Sequence, residues 1–333
     1  MPAEAAHPEE AVIDAACGAL LGVLIGDCVG APFEGGPAGS PARATTDVER
    51  VLATPPLRYT DDTELTIALA EHLLEHGEIV PDRLAELLAE RVDPGRGYGA
   101  GMLKLVALWR SGVPIDEAAT GVFPGGSMGN GAAMRTAPLA LWWATDPDRL
   151  TEQAARAAVL THAHPVGRDA AVLQARAVAL ACTRRRFGAE ELAALGELDL
   201  AVGLRERLER AAGFVPADPQ TGQEPQEGAA GVPATTLLAV GATLGTDVLA
   251  HHSVPTALWV AAVARNVPEA VTLAVALGGD VDTIAAMAAA VRGAVTGAAA
   301  IPADWREACE AAGRVTGLAT RLTHARAGEQ DRT

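Results

Sequence analysis

The sequence predicts an all-α fold, and three observations carry that prediction. Aromatic residues are only 3% of the chain, and few segments alternate polar and apolar residues with the period of two that marks a strand. Alanine is abundant, and apolar residues recur at intervals of three and four, the spacing of one helix face. At 333 residues the chain can bury a large core, and it reads as a single domain over residues 11–322, with polar, mobile ends at 1–10 and 323–333.

The elements follow in order. The stretch AACGALLGVLIGDCVGAP, residues 15–32, reads as a central helix; Asp27 and the closing Pro32 make it a poor membrane span. RYTDDTELTIALAEHLLEHG, residues 58–77, sets Leu65, Leu69 and Leu73 on one face. The next helix opens on Pro81 and Asp82 and presents Leu84, Leu87 and Leu88. Further helical patterns lie at 102–110, 132–143, 149–160, 168–183, 189–211, 234–248, 255–264, 268–276 and 282–298. The last carries Arg292 within a run of small residues suited to close helix packing, which again argues for a core helix over a membrane span. Residues 213–233, GFVPADPQTGQEPQEGAAGVP, are rich in proline and glycine between apolar helices, so they read as a long surface loop.

Composition limits the function classes. A net charge of -16 and a pI near 4.9 repel polyanions, so neither non-specific nucleic-acid binding nor attachment to an anionic membrane is expected. The four cysteines, Cys17, Cys28, Cys182 and Cys309, show no paired spacing and read as buried reduced thiols. The acidic N-terminus lacks the basic and then apolar pattern of a signal peptide, so a cytoplasmic, monomeric protein is expected.

Two acidic clusters carry the chemistry. Thr60, Asp61 and Asp62 stand at one predicted helix start, and Asp280, Asp282 and Thr283 stand at another behind Gly278 and Gly279. One reading is helix capping, with Asp61 and Glu64 as a capping box. The other is metal binding: carboxylate and hydroxyl oxygens suit a hard cation such as Mg²⁺ or Mn²⁺ much better than zinc. Asp280 and Asp282 exceed what one cap requires, and the same side chains could open a helix and hold a cation. Glu34 in GAPFEG lies between proline and glycines, where it reads either as an ordinary exposed acid or as a proton donor or acceptor. The loop FPGGSMGNGAAMR, residues 123–135, reads either as a plain turn or as a backbone cradle for a pyrophosphate ahead of a helix start. His162 and His164 form an HxH pair, but no third ligand recurs at a spacing that would make a zinc site.

GALLGVLIGDCVGAPFEG, YTDDTELTIALA, GGSMGNGAAMR, THAHPVGRDAAVLQA, SVPTALW and GGDVDTIAAMAAAVRGA occur in the order found in the ADP-ribosylglycohydrolase family, which the chain resembles over about residues 14–302. The TDD and GGDxDT elements are specific in combination. The resemblance implies an all-α orthogonal bundle with a dinuclear metal cleft at its middle. There Thr60, Asp61 and Asp62 would face Asp280, Asp282 and Thr283 across two Mg²⁺ or Mn²⁺ ions. It makes Glu34 the acid/base, assigns Gly126, Ser127, Gly129 and Asn130 to ADP-ribose contacts, and sets His162 against the ligand. An acid often precedes SVPTA in related members, whereas this chain has His251 and His252 there.

What the resemblance implies is a metal-dependent hydrolase that cleaves the glycosidic bond at C1″ of the distal ribose and releases ADP-ribose from an ADP-ribosylated protein or an ADP-ribose derivative. GDCVG, GGSMGNGAAMR and AVLQA lean toward the branch acting on O-linked acceptors: serine, poly(ADP-ribose) or O-acetyl-ADP-ribose. The alternatives are arginine-directed hydrolysis and a non-catalytic ADP-ribose-binding protein on the same scaffold. A pyrophosphatase has no REXXEE element here to support it.

Overall fold

Two helices whose backbones touch form the centre of the molecule. The first, Pro8–Gly30, lies along Val281–Thr296, and glycines at four-residue intervals make the contact possible. A Cβ on Gly18 would come within 2.2 Å of Gly293 O, one on Gly22 within 2.1 Å of Ala289 O, and one on Gly26 within 2.4 Å of Ala285 C. Gly30 continues the row against Cα of Asp282 at 2.6 Å. No side chain fits in this interface, so the small residues noted in the sequence are a steric requirement.

The computed structural model describes residues 8–216 and 231–330. Among them the chain forms α-helices and short 3-10 turns and no strand, as the composition and periodicity predict. Residues Val281 to Ala294 of the second central helix are all buried. Pro165–Arg184, Ala250–Val263 and Val267–Leu277 pack around it, and Ala312–Gln330 packs on the first helix. The main apolar cluster draws on residues from Ala16 to Leu322.

The first helix corrects one sequence argument. By length and composition the segment Glu9–Phe33 could cross a membrane despite Asp27, but 83% of its apolar window is buried inside the protein. Arg292, the charge within the other small-residue run, donates from Nη2 to the carbonyls of Phe187 and Ala261, while its buried Nε has no hydrogen-bond partner.

Several boundaries differ from the periodicity, each for a local reason. The pattern 189–211 is two helices, Ala189–Gly196 and Val202–Gly213; between them Asp169 captures the amide of Ala201 at 2.9 Å. The pattern 132–143 is helical only over Ala137–Trp142, because residues 131–135 form turns. Pro255, which read as a helix start, lies inside Ala250–Val263, near enough to its N-terminus that few backbone bonds are lost. The 234–248 pattern ends at Leu244, where Gly245 takes a positive φ of 86°. Periodicity also passed over Pro41–Leu52, Ile115–Val122, Ala303–Ala308 and much of Ala312–Gln330. Of the ends expected to be mobile, residues 8–10 begin the first helix and 323–330 continue the last; 1–7 and 331–333 lie outside the described residues. Most of the expected 213–233 loop, residues 217–230, also lies outside them.

The glycine contact can be tested with two alanines. Gly22→Ala should lower the free energy of unfolding by about 1–3 kcal/mol or more, because backbone rather than a movable side chain lies in the way. Gly313→Ala, in the last helix with open space around its Cα, should instead raise it by up to about 1 kcal/mol. Urea unfolding followed by circular dichroism measures both; equal stabilities for the two variants would contradict the contact.

Candidate active site

The two acidic helix starts lack side-chain N-caps. Thr60 occupies the N-cap of Asp61–His76 without a side-chain cap bond, and Asp280 does the same for Val281–Thr296. Glu64, the expected capping-box partner of Asp61, instead accepts from Tyr98 Oη at 2.6 Å and from the amide of Asp93 at 3.1 Å. The expected capping box therefore does not form and neither N-cap residue caps with its side chain; of the four aspartates, Asp282 alone takes a neighbouring first-turn amide, that of Thr283 at 2.9 Å.

What holds the first cluster is Asp27, the charge that interrupts the apolar first helix. It is fully buried and accepts from the amide of Thr60 at 2.9 and 3.0 Å, from Thr60 Oγ1 at 2.8 Å and from the amide of Thr63 at 3.0 Å. A side chain of the first helix thus replaces the local cap of the Asp61–His76 helix. Thr60 spends its hydroxyl proton on Asp27, which leaves its oxygen lone pairs free. Thr283 does likewise, donating from Oγ1 to Asp62 Oδ2 at 3.2 Å across the two clusters.

Glu34 reaches the second cluster by a backbone device. It follows the 3-10 turn Ala31–Phe33, and the next residues pair with the glycines before Asp280: Gly35 N donates to Gly279 O at 2.8 Å and Gly279 N to Gly36 O at 2.9 Å. Gly279 is required here, with φ of 82° and Thr246 O within 2.2 Å of where its Cβ would be. As a result Glu34, Asp280 and Asp282 each bring a carboxylate oxygen within 4.8 Å of the others.

Burial and mutual repulsion make the cluster costly as anions. Desolvation, then the charge of Asp27, raises Asp61 to about 7; desolvation, then Asp280 and Glu34, raises Asp282 to about 9. Asp62 and Asp280 are also pushed up, burial being the largest cause for both. Asp62 is 1% exposed, and its Oδ1 has no hydrogen-bond donor. An orphaned buried carboxylate oxygen beside hydroxyls whose protons are already given to carboxylates is a donor set that fits a hard cation.

The cluster opens on a cavity of about 260 Å³ whose lining includes Glu34, Asp61, Asp280, Asp282 and Thr283 together with Ser127, Gly129, Asn130 and His162. Thr60 and Asp62 do not line it. Asn130 Nδ2 donates to both Asp280 Oδ2 and Ser253 Oγ, so the residue braces the acidic cluster while facing the cavity. His162, half-buried, is held to about 3 by burial and by the Arg135 cation, and is therefore neutral.

The glycine loop departs from expectation in two ways. It runs into turns rather than a helix N-terminus, and the amides of Gly126, Gly129 and Asn130 are engaged by Phe123 O, Ser127 Oγ and Val248 O. Gly126 does not line the cavity; its Cα abuts the backbone of His164, within 2.1 Å of where a Cβ would be. The residues that the sequence reading passed over are Asp27, Ser253 and Arg135. For Asp27 a signal existed, a lone acid in an apolar run; for the other two only their proximity in the fold reveals a role.

Comparison with known proteins gives the family. A family model described as ADP-ribosylglycohydrolase matches residues 8–332. The chain is 32% identical to ADP-ribosylhydrolase ARH3 of Bos taurus over 88% of each chain. It is 31% identical to ADP-ribosylhydrolase ARH3 of Homo sapiens, again over 88% of each. A solved structure titled ADP-ribosylglycohydrolase-related protein complex superimposes with a TM-score of 0.67 at 28% identity, covering 95% of this chain and 99% of that one.

The raised carboxylates fix the sign of a pH effect. A folded state that keeps protons the unfolded chain has released above its ordinary value near 3.8 becomes less stable as pH rises toward about 9. In divalent-free buffer the melting temperature should fall from about pH 5 to about pH 8, and Mg²⁺ or Mn²⁺ should restore more of it at the higher pH. Asp282→Asn should flatten the dependence. A melting temperature that rises over this interval without cations, in wild type and variant alike, would contradict the assignment.

Proposed function

Because the chain belongs to the ADP-ribosylglycohydrolase family, a family of hydrolases, we propose that it hydrolyses the C1″ glycosidic bond of O-linked ADP-ribose and releases free ADP-ribose. The observation that carries the reading is the convergence of two uncapped acidic helix starts with Glu34 at one cavity. The linkage is supported by the ARH3 relatives and by the GDCVG, GGSMGNGAAMR and AVLQA wording.

In this proposal Thr60, Asp61, Asp62, Asp280, Asp282 and Thr283 hold two Mg²⁺ or Mn²⁺ ions. Such a pair supplies Lewis acidity toward the ribose hydroxyls and neutralises the gathered carboxylates. The remaining work belongs to the chain. Glu34, exposed at the cavity mouth, exchanges a proton with the attacking water or with the departing oxygen as the C1″–O bond breaks. Asn130 keeps Asp280 in place, and Asp27 does the same for Thr60. Ser127, Gly129 and His162, which also line the cavity, receive the rest of the ADP-ribose in this proposal. We extend the proposal to a monomer in the cytoplasm, in keeping with the four free thiols.

The test offers an ADP-ribosylserine peptide and an ADP-ribosylarginine substrate side by side, with Mg²⁺ or Mn²⁺ and after EDTA, and separates the products by chromatography. Cation-dependent ADP-ribose release from serine is expected, with Glu34→Gln lowering kcat by about 10²–10⁴-fold while KM stays near wild type. Release from arginine alone would overturn the linkage, AMP as product would indicate a pyrophosphatase, and binding without turnover would leave an ADP-ribose-binding protein.

A further inference from the structure

Beside the cavity, a guanidinium, a hydroxyl and an imidazole stand in series. Arg135 is 2% exposed, and its Nη2 donates to Thr161 Oγ1 at 2.9 Å and to Ala157 O at 3.2 Å. Thr161, also buried, places Oγ1 at 2.7 Å from His162 Nδ1. A guanidinium can only donate, so Thr161 Oγ1 accepts from Arg135 and has one proton of its own to give. The acceptors within reach are His162 Nδ1 at 2.7 Å and Ala158 O at 3.5 Å, and the second is at the limit of a hydrogen bond. The proton goes to Nδ1, and the hydrogen of the ring is then carried on Nε2.

The other end of the ring meets the glycine loop. A Cβ on Gly129 or Gly131 would lie 3.3 Å from His162 Nε2, so the loop approaches the ring as closely as glycine allows. Nε2 has no hydrogen-bond partner among the described residues, and His162 lines the cavity. Most ligand-holding histidines give Nδ1–H to a carbonyl or carboxylate and offer a lone pair at Nε2. Here the polarity is reversed.

We infer that Arg135, acting through Thr161, is a positioning residue that locks His162 as the neutral Nε2–H tautomer, making it a hydrogen-bond donor to an oxygen of bound ADP-ribose. The donor role rests on the proposed function; the tautomer does not. With its only free valence occupied by a proton, His162 is neither a general base nor a metal ligand. The HxH pair in the sequence therefore has no zinc-site meaning.

The tautomer is read from long-range ¹H–¹⁵N correlations of the full-length labelled protein, with His162→Gln to identify the signals. Wild type should show a protonated-type Nε2 and an unprotonated-type Nδ1 at neutral pH. Thr161→Val keeps the volume but loses the hydroxyl; it should give a tautomer mixture and weaken calorimetric ADP-ribose binding about tenfold, the loss of one net hydrogen bond. Thr161→Ser should restore both, and Arg135→Met, where it folds, should resemble Thr161→Val. A wild-type His162 with Nδ1–H or two ring protons overturns the relay, as does Thr161→Val with an unchanged spectrum. A wild-type spectrum as expected, in a protein that neither binds nor hydrolyses ADP-ribose derivatives, would sink the donor role together with the proposed function and leave the tautomer standing.

Discussion

The site depends on the contact between the helix Pro8–Gly30 and the helix Val281–Thr296. Backbone meets backbone there because Gly18, Gly22, Gly26 and Gly30 remove every side chain from the interface. That close approach has a chemical consequence at its C-terminal end. Gly30 lies on Cα of Asp282, while Asp27, one turn earlier, faces the start of Asp61–His76. One helix thereby fixes both acidic clusters, the first by hydrogen bonds and the second by contact. A shift of the pair by even a side-chain width would separate Thr283 from Asp62, whose bond is already 3.2 Å long.

Within this frame the protein tolerates a local electrostatic conflict. Four aspartates with raised pKa values lie close together behind a fifth, Asp27, which is itself pushed up by burial even though Thr60 and Thr63 donate to it. Hydrophobic burial elsewhere offsets such a cluster, since the two central helices are almost wholly enclosed. Where a polar residue stands at a helix start elsewhere it often caps, as Ser40, Asp146, His164 and Asn266 do, whereas Thr60 and Asp280 turn their side chains to other partners. Departures from local consistency collect where a protein does chemistry.

The fold class and most helices were legible in the sequence because burial imposes a three-to-four spacing on any helix packed on one face. The boundaries were less so, because a helix end is decided by a partner that pattern cannot show, as when Asp169 takes the amide of Ala201. Asp280 and Asp282 announced themselves by excess over what one cap needs, Asp61 and Asp62 only alongside that second cluster, and Glu34 by its lack of a structural task. Their convergence came from the family resemblance, since spacing holds no information about which distant helix starts meet. Asp27 shows the limit most clearly. Its neighbours describe a core helix, and only the fold reveals that it replaces the cap of a helix 33 positions away.

The cavity lining mixes two chemistries. Its acids, which repel anions and attract cations, come from the turn after the first helix and from the starts of Asp61–His76 and Val281–Thr296; its other polar groups, Ser127, Asn130, Thr161 and His162, are hydroxyl, amide and imidazole groups without a net charge. Across a molecule carrying -16, an anionic ligand meets an unfavourable field until it reaches groups that can donate to it. Arg135 supplies a full positive charge behind Thr161 and His162, yet it is buried and spends its donors on Ala157 and Thr161, so its charge acts through the medium and through His162 rather than by contact. Under the proposed function, ADP-ribose turns its ribose hydroxyls toward the carboxylates and its pyrophosphate toward the glycine loop and the imidazole. A ligand entering the other way round would set its negative charge against Asp61, Asp280 and Asp282, and the same burial that raises those carboxylates would make that encounter the more unfavourable.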